Sequence, residues 1–145
     1  MRVVTSKQMK EIERLSRYYG LTYRRLMENA GSAAAAFMRR TFPVEGLNCL
    51  VFCGRGNNGG DGLVVARKLY EYRANVLVVL VEGTPKSEEA SNMLTTARLL
   101  DIPFADFAET PDRVLKVIDQ AGIVVDGRYG TGFHGDLGMI SRSAC

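Results

Sequence analysis

The feature that most constrains the fold is a series of short apolar runs, Leu50 to Cys53, Val76 to Val81, Ile102 to Phe104 and Ile123 to Val125, separated by segments with helical spacing. Strands without polar alternation are covered on both faces, and strand–helix alternation makes a parallel sheet the architecture that covers them. The intervening helices are expected over about Gly62 to Tyr72, over Ser87 to Leu100, and after Thr110, which caps a helix with Pro111 at its first position and Val114, Leu115 and Ile118 on its buried face. With right-handed crossovers, three strands wind one way and the fourth returns beside the first. The strand order is then 3-2-1-4, the start of a doubly wound α/β fold.

Two helices precede the sheet. A capping box, Thr5-x-x-Gln8, and apolar residues Met9, Ile12, Leu15 and Tyr19 mark the first, which Gly20 stops. The second runs through Leu26, Met27, Ala30, Ala33, Ala34, Phe37 and Met38 to Pro43, and its alanines suggest close packing on a neighbour. At 145 residues the whole chain, 1–145, suits one domain. The last apolar strand, however, is followed only by a glycine-rich segment and an unpatterned tail. That expectation has two forms: a domain whose C-terminal part is missing, or an edge covered by another chain, as in a homo-oligomer.

Charge and cysteine usage narrow the classes of function. A net charge of +3 is too small for a nucleic-acid stripe or a polybasic membrane anchor. No apolar stretch approaches the roughly 20 residues of a membrane span, and the start lacks a signal segment, so the cytoplasm is the expected location. Cys49 and Cys53 lie on one strand about 13 Å apart at roughly 3.3 Å per residue, beyond disulfide reach. With Cys145 terminal and His134 the lone histidine, no zinc site is expected.

Chemistry concentrates in two glycine-rich segments, Gly54 to Gly62 (GRGNNGGDG) and Asp126 to Asp136 (DGRYGTGFHGD), which follow the first and fourth strands. In the 3-2-1-4 order both stand at the carboxyl ends that flank the switch-point crevice. Gly54-x-Gly56-x-x-Gly59 fits a dinucleotide fingerprint, with Glu82 placed as a ribose-binding acid, which keeps a nicotinamide-dependent oxidoreductase open. Asp61 argues against a plain fingerprint, because its charge competes with a pyrophosphate for the helix N-terminus; the bland alternative is that Asp61 caps that helix. Asn57 and Asn58 suit tight turns as well. Asn58 and Asp126, facing each other across the crevice, also offer the oxygen ligands a hard cation prefers.

GRGNNGGDG followed by LVVAR, the later DGRYGTGFHGDL, and LMENAG at Leu26 to Gly31 together resemble the YjeF N-terminal family, the NAD(P)H-hydrate epimerases. The resemblance runs from the first helix to about Leu137. It implies a Rossmann-like fold, interconversion of the S and R forms of hydrated NADH and NADPH, a potassium ion, and a fused or separate dehydratase that restores the cofactor. It further implies that Asn57, Asn58, Gly59, Gly60 and Asp61 contact the hydrated dinucleotide, and that Asn58 and Asp126 are potassium ligands. Gly130, Thr131, Gly132, Phe133, His134, Gly135 and Asp136 match the segment that holds substrate phosphates, where backbone N–H groups suit anions; for His134 alone, a solvent-exposed loop histidine is the simpler account.

The sequence departs from the family's pattern in two places. Arg128 stands where the family usually has an apolar residue. The family's D-x-P-S-G-like segment, with a further substrate-binding acid and a third potassium-binding oxygen, has no counterpart, and the tail after Leu137 looks like the product of a truncation or a shifted frame. Loss of the hydroxyl from the hydrated ring gives an iminium-like cation that water re-enters from either face. Asp61 is the residue nominated to move the proton, the missing acid being its rival. A non-catalytic scaffold of the same fold is the remaining alternative.

Overall fold

The computed structural model describes residues 4–130 and Phe133. The elements in chain order are α1 (Ser6–Tyr18), α2 (Tyr23–Thr41), β1 (Asn48–Cys53), α3 (Asn57–Glu71), β2 (Asn75–Leu80), α4 (Glu88–Leu99), β3 (Phe104–Asp106), α5 (Pro111–Ile118) and β4 (Ile123–Gly127). All strand pairings are parallel, in the order β3-β2-β1-β4. The α/β class and the 3-2-1-4 winding expected from the sequence are therefore observed.

Side chains on β1 alternate between two cores, as the period of two requires. Cys49, Val51 and Cys53 join Leu63, Val64 and Leu69 of α3 and Met93 and Ala97 of α4 on one face. Leu50 and Phe52 join Val79, Phe107 and Val114 on the other. Each fully buried Leu or Val contributes about 1.5–3 kcal/mol. Cys49 and Cys53 are free and buried, and burial pushes the Cys53 thiol up to about 12.

α2 and α3 meet through small residues. A Cβ on Gly31 would lie 2.5 Å from Val64 Cβ, and one on Gly60 would lie 2.5 Å from Met27 Sδ. Glu28 of α2 pairs with Arg67 of α3, which also holds Glu71 at 3.1 Å. LMENAG and LVVAR are thus the two halves of one helix–helix seam: Met27, Gly31 and Val64 pack it, and Glu28 and Arg67 close it.

Local expectations change in five places. The first glycine-rich segment is mostly helix: α3 begins at Asn57, not near Gly62. The third strand starts at Phe104 because Pro103 has no N–H to donate, although its carbonyl accepts from Val78 at 3.0 Å. On α2 the buried stripe is Met27, Gly31 and Ala35, while Phe37 stays 59 % exposed. On α5, Val114 is buried and Leu115 is exposed. The Thr5 and Gln8 capping box is present on α1, and Gly20 follows it at φ +85°, yet α1 buries no residue; Met9, Ile12 and Leu15 are each more than 40 % exposed.

Candidate functional site

At the carboxyl ends of the strands, the turn after β1 and the turn after β4 touch. A Cβ on Gly54 would stand 2.1 Å from Arg128 O, and one on Gly59 would stand 2.0 Å from Gly54 O, so three stretches of backbone stack with no room for a side chain. Gly127 packs less tightly, since a Cβ there would lie 3.0 Å from Phe52 O and 3.1 Å from the backbone Asn58 O. The amide of Asn58 donates through Nδ2 to Tyr129 O at 3.0 Å and ties α3 to the second turn. Tyr129 in turn donates its hydroxyl to Glu82 Oε1 at 2.6 Å and lays its ring against Phe133, 4.3 Å between centroids.

A hollow of about 590 Å³ opens above this junction. Its walls are Arg55 to Asn58 and Asp61 from the first turn and α3, Glu82 after β2, Arg128 to Gly130 and Phe133 from the second turn, and Ser6, Met9, Lys10 and Glu13 from α1. A smaller hollow of about 260 Å³ beneath it is bordered by Asn58, Asp61, Asp126 and Ala30. A third, about 440 Å³, lies at the opposite end of the sheet against Asn48, Asn75 and Gln120. α/β sheets bind ligands at strand carboxyl ends, which favours the first two.

Both sequence-nominated segments therefore meet, but their residues divide by task. Asn57 is exposed and accepts from Ser87 Oγ at 2.8 Å, which anchors the start of α4. Gly59 and Gly60 are buried, Gly59 under Gly54 and Gly60 under Met27, and the Gly60 N–H already donates to Gly56 O at 3.3 Å, which leaves the backbone N–H of Gly59 as what the pair can offer a ligand. Asn58 and Asp61 border both hollows. Asp61 is the fifth residue of α3, while Gly56 is its N-cap with no side-chain hydrogen bond, so Asp61 does not cap this helix. The uncapped N-terminus leaves N–H groups open to an anion. Gly130 borders the larger hollow with Phe133, whereas Thr131, Gly132, His134, Gly135 and Asp136 lie outside the described residues.

The two acids of the crevice have opposite electrostatics. Burial, and then the charge of Glu13 on α1, push the Asp61 carboxyl up to about 6. Asp126 is held below the usual carboxylate range, chiefly by hydrogen bonding to Arg128. Nε and Nη2 of Arg128 donate to Oδ1 and Oδ2 of Asp126 at 3.0 and 2.8 Å, and the Arg128 backbone N–H donates to Oδ1 at 3.0 Å. Among the described residues, no group of three or more His, Cys, Asp or Glu could hold a metal ion.

The α1 residues are the part of the site that the sequence analysis missed. Ser6, Met9, Lys10 and Glu13 recur at helical spacing on one face, and that polar interruption of the helix's apolar stripe was the available signal.

A family model described as YjeF-related protein N-terminus matches residues 23–143. The chain is 35% identical to the NAD(P)H-hydrate epimerase of Nitrosopumilus maritimus, covering 92% of this chain and 62% of that protein. It is 37% identical to the bifunctional NAD(P)H-hydrate repair enzyme Nnr of Pyrobaculum aerophilum, covering 94% of this chain and 28% of the relative. The crystal structure of yeast ynu0 superposes with a TM-score of 0.84 at 28% identity, covering 96% of this chain and 61% of that one. The chain thus spans about three fifths, or less, of the lengths of these relatives.

Proposed function

The chain belongs to the family of YjeF-related protein N-termini, and from that premise we propose that it serves NAD(P)H-hydrate repair as an epimerase, interconverting the S and R forms of hydrated NADH and NADPH. The observation that carries this reading is the meeting of an uncapped helix N-terminus with a proton-holding Asp61 in one hollow of about 590 Å³. The first suits a diphosphate; the second suits a step in which hydroxide must leave as water.

In this mechanism the α3 N-terminus and the N–H groups around Gly130 hold the phosphates. Lys10 and Arg55 add positive charge to the walls. Asp61 gives its proton to the ring hydroxyl, the C–O bond breaks, and water departs from an iminium-like cation. A water molecule adds at the same carbon from the other face and returns a proton to Asp61, so the enzyme ends as it began. A carboxyl with a pKa near 6 serves both directions near neutral pH.

The potassium ion implied by the resemblance would draw on Asn58 and Asp126. The Asn58 carbonyl suits it, because the amide nitrogen is already committed to Tyr129. Asp126 does not: both its oxygens are engaged by Arg128, and its register opposite Phe52 sets it on the sheet face away from α3. No step is therefore routed through the ion.

The bifunctional relatives support a fused or separate dehydratase as the functional partner. Two buried free thiols suit a reducing compartment and support a cytoplasmic location. No helix among the described residues is long and apolar enough to cross a membrane. Family membership also favours epimerisation over the hydride-transfer alternative. The test is chromatographic separation of the S and R hydrates of NADPH after incubation with the protein; an unchanged epimer ratio at every protein concentration would overturn the proposal.

A further inference from the structure

We propose that Arg128 is a built-in cation: its guanidinium neutralises Asp126 and stands where a free monovalent ion would meet that carboxylate, so that Asp126 takes no potassium from solution. The inference rests on the same crevice being the hydrate site, but it concerns ion binding, which can be measured without substrate.

Three contacts define the pair: Nε to Oδ1 at 3.0 Å, Nη2 to Oδ2 at 2.8 Å, and the Arg128 backbone N–H to Oδ1 at 3.0 Å. The first two form the planar two-point fork in which guanidinium matches carboxylate better than any spherical ion can. The Arg128 side chain is only 13 % exposed and that of Asp126 is 57 % exposed. An incoming ion could reach the carboxylate, but it would have to displace a guanidinium that is mostly out of water. Stripping a buried charge of its partner is strongly unfavourable.

The backbone adds to the preference. Arg128 follows Gly127, which packs on the Asn58 carbonyl, and the Arg128 carbonyl closes on Gly54. The guanidinium is therefore held beside its carboxylate by a clamped turn two residues long. A tethered charge competes at an effective concentration of at least millimolar, whatever the salt outside.

The test compares the purified chain in potassium chloride and in choline chloride at equal ionic strength, by thermal melting and by equilibrium dialysis against radioactive rubidium as a potassium mimic. The wild-type chain is expected to melt within about 1 °C in the two salts and to retain no rubidium. Arg128→Leu is expected to gain a saturable, potassium-specific rise of about 2–4 °C and to retain rubidium. Arg128→Gln serves in its place if the leucine variant does not fold. Stoichiometric rubidium on the wild-type chain would overturn the proposal, and so would folded variants that bind no more ion than wild type. Absence of epimerase activity would instead count against the proposed function and leave these ion measurements standing.

Discussion

The two walls of the crevice each carry an aspartate, and they treat it in opposite ways. On the α3 wall Asp61 is partly buried and shares its hollow with Glu13, so it keeps its proton to about pH 6. On the β4 wall Asp126 faces Arg128 and stays ionised below the usual range. Neither fate is written in the residue type; each follows from what the fold places beside it. Titratable pairs pushed apart by their surroundings suit different tasks, and the proposed mechanism accordingly uses the α3 wall to move a proton and the β4 wall as fixed charge.

The sharpest way to break this contrast is Asp61→Asn. Epimerisation is expected to fall at least about 100-fold while the chain still folds and melts no lower than wild type, since the amide preserves shape and removes the proton. Near-normal turnover in the chromatographic assay would move the chemistry elsewhere. Next in size is Gly59→Ala, whose Cβ would stand 2.0 Å from Gly54 O. It is expected to lower stability by about 3 kcal/mol in urea titrations, because both clashing partners are backbone. Gly56→Ala, with nothing within 4 Å, is the control and should change stability by under about 0.5 kcal/mol.

Smaller effects test the electrostatics directly. Asp61 binds its proton more tightly folded than unfolded, where it ionises near 3.8, so its contribution is present below about pH 4 and is lost as pH rises through 6. Asp61→Asn should therefore be more stable than wild type at pH 7, by about 1–2 kcal/mol after allowing for partial solvent exposure, with the two converging below pH 4 in melts across pH. Asp126 has the opposite sign. Its depressed value gives stability above the ordinary carboxylate range that is lost as pH falls, and Asp126→Asn should cost about 1–2 kcal/mol at pH 7, because it strips the mostly buried Arg128 guanidinium of its charge partner while the carboxylate itself is largely exposed.

Sheet order and crevice were legible because unbroken apolar runs and the handedness of crossovers leave few alternatives. The start of α3 was not. Gly59, Gly60 and Gly62 each disfavour a helix by about 1 kcal/mol, and the local pattern looks like a loop until the close approach of Gly54, Met27 and Cys53 is known. α1 shows a second limit. Its capping box and apolar spacing specified a helix correctly, but periodicity gives a helix a face without saying what that face meets. The pairing of Arg128 with Asp126 was hidden for a different reason: residues two apart on a strand share a side, yet only the turn at Gly127 folds one onto the other.

The stack of Gly54, Gly59 and the Arg128 carbonyl separates two kinds of inheritance in this chain. Steric exclusion there acts on any descendant that keeps the sheet, whether or not it still turns over a substrate. A lineage that abandoned its reaction would go on carrying the glycines while Asn58 and Asp61 drifted away. On the mechanism proposed above, the aspartate, rather than the glycines before it, is therefore the letter that would record a working catalyst.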